Sequence, residues 1–298
     1  MRKTQKTNFA SAVSARYPGL IGKIKRLIEE SEKEYAKSPG TEDSYLWEHT
    51  SCVASLGYQL AQAEKRDPLL PSIAALFHDA GKFSGGRYHQ DDTAEEKDAA
   101  RLAGNILREA GMRNGDINRV TSGLLALYDA KARKNWVTNI VHDADFLSKF
   151  GTLGVANFFI KATLRRKTLL GAILNYLSKE LTYAACLPSN MRTQAGKQLA
   201  RKKSKDTLKF FRALLRELKE TQAADFTIKR LSVKPPSGRR QPIEVHLAVP
   251  RSCEKCGGSW KLSFNTEKEI KCEKLEAEMT CSGCGSRSSF SFCLPEIG

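Results

Sequence analysis

The chain has 298 residues, with 49 Lys and Arg against 33 Asp and Glu, a formal charge of +16 and a mean hydropathy of −0.43. That length allows one full core plus a small module, and the short apolar runs exclude a membrane-spanning helix. The charge is too high for an average soluble enzyme and implies an acidic partner.

The N-terminus, "MRKTQKTNFASAVSARYPGLIGKIKR", holds no acid before Glu29 and is rich in Lys, Arg, Ser and Thr. Such a composition overlaps with an organelle transit peptide, but it reads as an unstructured basic arm over residues 1–18, and with no apolar core of a secretory signal a cytoplasmic location is expected. A string of helices follows, assigned to residues 19–231. In "DSYLWEHTSCVASLGYQL" the residues Leu46, His49, Val53, Leu56 and Leu60 recur at steps of three and four, which places His49 in the inward apolar stripe. The next helical stretch, "PSIAALFHDAGK", carries the pair His78-Asp79. A Gly85-Gly86 turn precedes His89, a Thr93-to-Glu96 capping box opens the helix "TAEEKDAARLAGNILREAGM", and Gly111 marks its stop.

In "VTNIVHDADFLSKFG", Ile140, Asp143 and Leu147 repeat the inward pattern. An acid there is costly to bury unless it is paired or holds a metal, so Asp143 requires a partner. Its neighbour Asp145 falls on the opposite flank, where an exposed or supporting role is expected. Each residue alone has an ordinary reading: a lone inward His is more often a hydrogen-bonded core residue than a ligand, and a lone Asp caps or salt-bridges. The joint pattern is more specific, since four of the five histidines (His49, His78, His89, His142) fall in this stretch. Neutral imidazoles beside carboxylates suit Mn, Fe, Co, Ni, Zn or Mg, and such ions activate water at neutral pH.

"DTLKFFRALLRELKE" is the last strongly amphipathic helix. After it, "LSVKPPSGRRQP" reads as an extended basic linker over residues 232–242. Residues 243–298 then read as a small β module. "IEVHLAV" alternates Ile243, Val245, Leu247 and Val249 with Glu244, His246 and Ala248, which puts His246 on the polar side and not among ligands. Six of the eight cysteines crowd into the last 46 residues. Cys253-x-x-Cys256 and Cys281-x-x-Cys284, with 24 residues between the pairs, form two knuckles able to complete a tetrahedron around structural zinc. Redox pairs or disulfides are the alternative. Either Cys272 or Cys293 could replace a ligand, but both are expected in or beside the strands as small apolar residues, and a module of this size leans on its zinc for a core.

Charge is concentrated. From Lys161 to Lys205 there are eleven Lys and Arg against one acid, Glu180. Arg165, Arg166, Lys167, Arg201, Lys202 and Lys203 are accordingly the candidate phosphate or nucleic-acid contacts, although a solvated basic face is the ordinary reading. No aromatic stacking series is present, which leaves sequence-specific readout unsupported.

From about Tyr45 to Glu220 the chain resembles the HD-domain superfamily of metal-dependent phosphohydrolases, whose signature is a His, then a His-Asp pair, then a distal Asp. The stretch "VHDADFLSKFGTLGVANFF" and the later "LSKELTYAACLPSNMRTQAGKQLARKKSKDTLKFFRALLREL" are similar to corresponding segments of that family. The resemblance implies a mainly α HD-domain helical bundle, to which the tail adds the small β zinc ribbon. It also implies His49, His78, Asp79 and Asp143 as metal ligands, Asp79 as catalytic, Lys82 as a phosphate-facing cation, and His89 as general acid or auxiliary ligand. A solvated Lys82 at a helix end and a His89 without a role are the alternatives. Where many members carry a further histidine this chain has "LLALYDA", with Tyr128 and Asp129, so one metal is expected. Three functions stay open: hydrolysis of nucleotide phosphates, cleavage of DNA or RNA held by the basic helices and ribbon, and non-catalytic nucleic-acid or protein binding. No membrane partner is expected.

Overall fold

A computed structural model describes residues 8–36, 44–84, 95–129, 132–234, 242–269 and 272–295. The chain divides into two compact units, Met1–Ser148 with Met191–Gly196, and Lys149–Asn190 with Lys197–Gly298.

The first unit is helical. α1 (Phe9–Arg16) starts at Asn8, whose side chain accepts from Ser11 N, and buries Val13. The expected basic arm is thus folded from residue 9, because an Asn cap and one buried Val suffice to anchor two turns against α2 and α4. α2 (Leu20–Ala36) buries Leu20, Ile24 and Ile28 at steps of four. α3 (Tyr45–Ala63) opens at Ser44, which accepts from Trp47 N, and α4 (Leu69–Phe77) is buried on nearly every side. The two cross closely at Gly57, where an added Cβ would lie 3.5 Å from Pro71 O. α5 (Glu95–Glu109) ends before Gly111, whose φ of 72° is the left-handed stop that glycine permits; Thr93, the expected cap, lies outside the described residues. α6 (Asn114–Leu125) and α7 (Trp136–Ser148) complete the group, with α7 packed on α3 and α4.

The second unit combines helices with two sheets. α8 (Gly151–Leu164), the short α9 (Leu169–Ala172), a π-type turn over Ile173–Leu177, α10 (Ser178–Asn190) and most of α11 (Gln194–Glu220) share a core of Val155, Phe158, Leu177, Leu181, Phe211 and Leu215. β1 (Phe226–Val233) pairs antiparallel with β2 (Ile243–Pro250), and β3 (Trp260–Lys268), β4 (Glu273–Cys281) and β5 (Arg287–Cys293) form a separate meander. The expected linker at 232–242 therefore begins inside β1 and joins the two strands of one hairpin; residues 235–241 of the joining segment lie outside the described residues.

His246 is a correction: it is 3% exposed, not on a solvent face. β2 is covered on both sides, since Val245, Leu247 and Val249 join a core with Leu275, Met279 and Phe290 while Ala248 joins the helical core. α10 also covers the edge of β2 that β1 leaves open. His246 N donates to Thr182 Oγ1 at 3.0 Å and Ala248 N to Ser178 Oγ at 3.0 Å, so hydroxyls replace a missing strand. The imidazole is satisfied by Glu244, two residues along on the same side. Cys272 and Cys293 are a second correction. They are joined in a disulfide, because the β4–β5 register brings the start of one strand beside the end of the other.

Candidate metal centre

Three helices of the first unit deliver the site. α3 supplies His49, the C-cap of α4 supplies His78 with Asp79 just beyond, and α7 supplies Asp145. The α4 helix ends in a tight turn at "HDAGK", where Lys82 N donates to Asp79 O at 3.1 Å. Gly81 is required there, because a Cβ would lie 2.3 Å from Glu95 O in the first turn of α5.

The side chains converge. His49 Nε2 lies 3.3 Å from Asp145 Oδ1 and 3.7 Å from Asp79 Oδ2, while His78 Nε2 is 3.7 Å from both Asp79 Oδ1 and Asp145 Oδ1. All four residues are buried. His78 Nδ1 donates to Ala75 O at 2.7 Å, which directs the lone pair of its Nε2 inward, and that buried atom has no hydrogen-bond partner among the described residues. Ser148 donates to Asp145 O at 2.7 Å and leaves its oxygen 3.5 Å from His49 Nδ1, which favours the same tautomer for His49. Ligands bound at about 2.1 Å to one ion sit about 3.0–3.4 Å apart, close to the separations found here. The donor set therefore fits a divalent cation.

Asp143, expected as the fourth ligand, is not part of this group. It is fully buried and accepts from Arg192 N at 2.9 Å, from Thr193 N at 2.8 Å and from Thr193 Oγ1 at 2.7 Å, with His142 Nδ1 3.0 Å away. Thr193 in turn accepts from Gly196 N at 2.9 Å, so Asp143 secures the start of α11. Two residues apart on a helix, Asp143 and Asp145 point in opposed directions, and only one can face His49. The site takes Asp145. Tyr128, in the segment without the further histidine, donates to Asp145 Oδ2 at 2.7 Å although the residue as a whole is 44% exposed.

Electrostatics follow from burial and these neighbours. Burial alone would raise Asp79, but His78, Lys82 and His49 hold its carboxyl well below the usual range. Burial lowers His49. At His78 the opposite outcome holds: burial lowers the ring, but Asp79 and Asp145 outweigh it, and the ring lies above its ordinary value. Withdrawal of its hydroxyl from water, then the charges of Asp145 and Asp79, raise Tyr128 well above its usual value. Lys82 Nζ is 3.1 Å from Asp79 Oδ2. Glu95, not singled out in the sequence, is pushed up to about 7 by burial, with Lys82 opposing. His89 lies outside the described residues.

The second unit holds the four thiols of Cys253, Cys256, Cys281 and Cys284 within 4.8 Å of one another. Cys253 Sγ is 3.7 Å from Cys284 Sγ, and Cys256 Sγ is 3.4 Å from Cys281 Sγ. A tetrahedron with metal–sulfur bonds of about 2.3 Å has edges of about 3.8 Å. Glycines make the space: a Cβ on Gly258 would lie 3.1 Å from Cys281 Sγ, and one on Gly283 would lie 3.0 Å from Cys256 Sγ. Of the candidate phosphate contacts, Arg165, Arg166, Lys167, Arg201 and Lys202 are exposed, and Arg165 lies over the Tyr176 ring at 5.3 Å. Lys203 differs, because its ammonium donates to Phe150 O at 2.9 Å and its stem packs on Gly151.

Residues 46–145 match the HD domain family. Among solved structures, a predicted HD superfamily hydrolase from an uncultured Thermotogales bacterium is similar over 70% of this chain and 98% of its own, at 19% identity and a TM-score of 0.51. Bacillus subtilis YpgQ is similar over 68% of this chain and 95% of its own, at 20% identity and a TM-score of 0.50. At such identities the likeness concerns the fold. No curated protein matches the chain in sequence. Among the described residues, no helix is long and apolar enough to cross a membrane.

Proposed function

With an HD domain matched over residues 46–145 as the premise, we propose that the protein is a metal-dependent phosphohydrolase acting on nucleotide phosphate esters or anhydrides. The observation that carries this reading is the convergence of His49, His78, Asp79 and Asp145 around the unpartnered Nε2 of His78. These four residues would hold one divalent ion. Such an ion polarises a phosphoryl oxygen and makes water nucleophilic at neutral pH. The chain supplies the rest. Ala75 O and Ser148 fix the two imidazoles in the tautomer that presents Nε2 inward, and Tyr128 orients the Asp145 carboxylate. Lys82, with a quarter of its side chain exposed, keeps Asp79 ionised and offers its ammonium to an incoming phosphate oxygen. In the second unit, the four cysteines would hold a structural zinc.

The reading is tested by loading the protein with Mn, Co or Mg and assaying nucleoside mono-, di- and triphosphates beside single-stranded DNA and RNA, with metal content measured in parallel. Asp79→Ala is expected to lose both bound metal and hydrolysis of nucleotides. Full metal content and full hydrolysis in that variant would refute the site, and hydrolysis of polymers alone would refute the nucleotide substrate.

A further inference from the structure

The basic excess is not shared between the units. The segments of the first carry 22 Lys and Arg against 20 Asp and Glu, whereas those of the second carry 27 against 13. Within the second unit the excess takes an ordered form on α11. One face of this helix is buried through Ala200, Ser204, Thr207, Phe211, Leu215 and Leu218. Arg201, Lys202, Lys205, Lys209, Arg212, Arg216 and Lys219 are all exposed. At about 100° per residue these seven fall within an arc of about 100°, and at 1.5 Å per residue they extend over about 27 Å. Asp206 and Glu217 lie on its flank, and Glu220 follows its end.

The protein does little to neutralise this row. Among the described residues, ion pairs occur only at its C-terminal end, Arg216 with Glu220 at 3.9 Å and Lys219 with Asp225 at 3.6 Å. Arg201, Lys202, Lys205, Lys209 and Arg212 have no carboxylate partner among the described residues. Like charges four apart, as at 201, 205 and 209, cost a helix about 0.2–0.5 kcal/mol per pair, so folding gains nothing from the row. Lys203 is the contrast, since its ammonium is spent on Phe150 O.

We propose that this face of α11 binds the phosphate backbone of a nucleic acid without reading its sequence. A stripe with a cation about every 4.5 Å along the helix axis meets a polymer whose phosphates repeat every ~3.4 Å per strand. An anionic membrane is the poorer fit, because surface helices that bind lipid interleave large apolar side chains with their cations. This row has none; the exposed Phe210 points to another side, towards Phe159. The binding is independent of the hydrolytic reading, because it uses neither the first unit nor its metal.

The test is fluorescence anisotropy of the full chain with a labelled 20-nucleotide strand and a 20-base-pair duplex across a salt series. Polyglutamate and phosphatidylserine vesicles serve as other polyanions. Lys205→Gln/Lys209→Gln/Arg212→Gln is expected to weaken nucleic-acid binding at least tenfold and, for the duplex, to flatten the slope of log K against log salt by about 2.7. These side chains are exposed, so the thermal transition should be unchanged. Lys255→Gln/Lys261→Gln/Arg287→Gln removes the same charge from the strands and should leave affinity within twofold. An equal loss in both variants, no loss in the first, or binding of polyglutamate or vesicles as tight as that of nucleic acid overturns the proposal.

Discussion

Replacing each acid of the Asp-Ala-Asp stretch separately gives opposite outcomes if the geometry is right. Asp143→Ala removes a carboxylate that accepts from Arg192 N, Thr193 N and Thr193 Oγ1. Two backbone donors and a hydroxyl then lose their partner, and at about 1–3 kcal/mol for each unsatisfied buried donor, reduced because residues 192 and 193 are only half-buried, the loss is about 4 kcal/mol. For a unit of about 150 residues this lowers Tm by about 12 °C. Metal content per folded chain should stay that of the wild type. Asp145→Ala removes a carboxylate from between two imidazoles, so metal content and nucleotide hydrolysis should fall together, with a smaller fall in Tm for the metal-free protein. Differential scanning calorimetry with elemental analysis of dialysed protein reads both quantities. Loss of metal from a thermally unaltered Asp143→Ala, with metal retained by Asp145→Ala, would reverse the assignment.

Other positions offer sharper local tests. Gly81→Ala places a Cβ against the Glu95 carbonyl, and the displaced first turn of α5 should cost about 1–3 kcal/mol in urea unfolding; an unchanged midpoint would mean that the turn is not fixed by that contact. Gly283→Ala crowds Cys256 Sγ and should lower zinc affinity in a competition titration with a coloured chelator, whereas alanine at Gly257 would instead test the left-handed φ of 72° at the first knuckle. Thr182→Val deprives His246 N of its acceptor and should destabilise by about 1–3 kcal/mol, while Thr182→Ser should restore most of that; equal effects would show that the hydroxyl does not complete the edge of β2.

The parts of the fold that were legible in the sequence are those in which one face differs from the other. Steps of three and four placed Leu46, His49, Val53 and Leu60 inside α3, and the amphipathic pattern of "DTLKFFRALLRELKE" marked the C-terminal half of α11. The paired Cys-x-x-Cys knuckles were legible because their local spacing does the work of gathering thiols. Contacts fixed by register or by a covering helix were not. Cys272 and Cys293 are 21 residues apart, and only the β4–β5 pairing makes them neighbours. His246 alternates with apolar residues as a solvent-facing side chain would, yet α10 closes that side of β2 and turns an apparent outer position into a core one.

The two acids of α7 show the same limit at the site itself. Periodicity sorts inward from outward residues only where a helix has an outward side, and α7 buries residues on every flank, from Val137 and Thr138 through Asp145 to Leu147 and Ser148. Asp143 is 0% exposed and Asp145 1%. Burial of a carboxylate requires a partner in either case, and each acid has found a different one: backbone amides at the start of α11 for Asp143, imidazoles of α3 and α4 for Asp145. The requirement for a partner is local chemistry and can be read along the chain, but its identity depends on which helix packs against which flank. A pair of acids spaced by one residue on such a helix therefore implies two partners in opposite directions, and a ligand set must be assigned by the side on which the histidines lie.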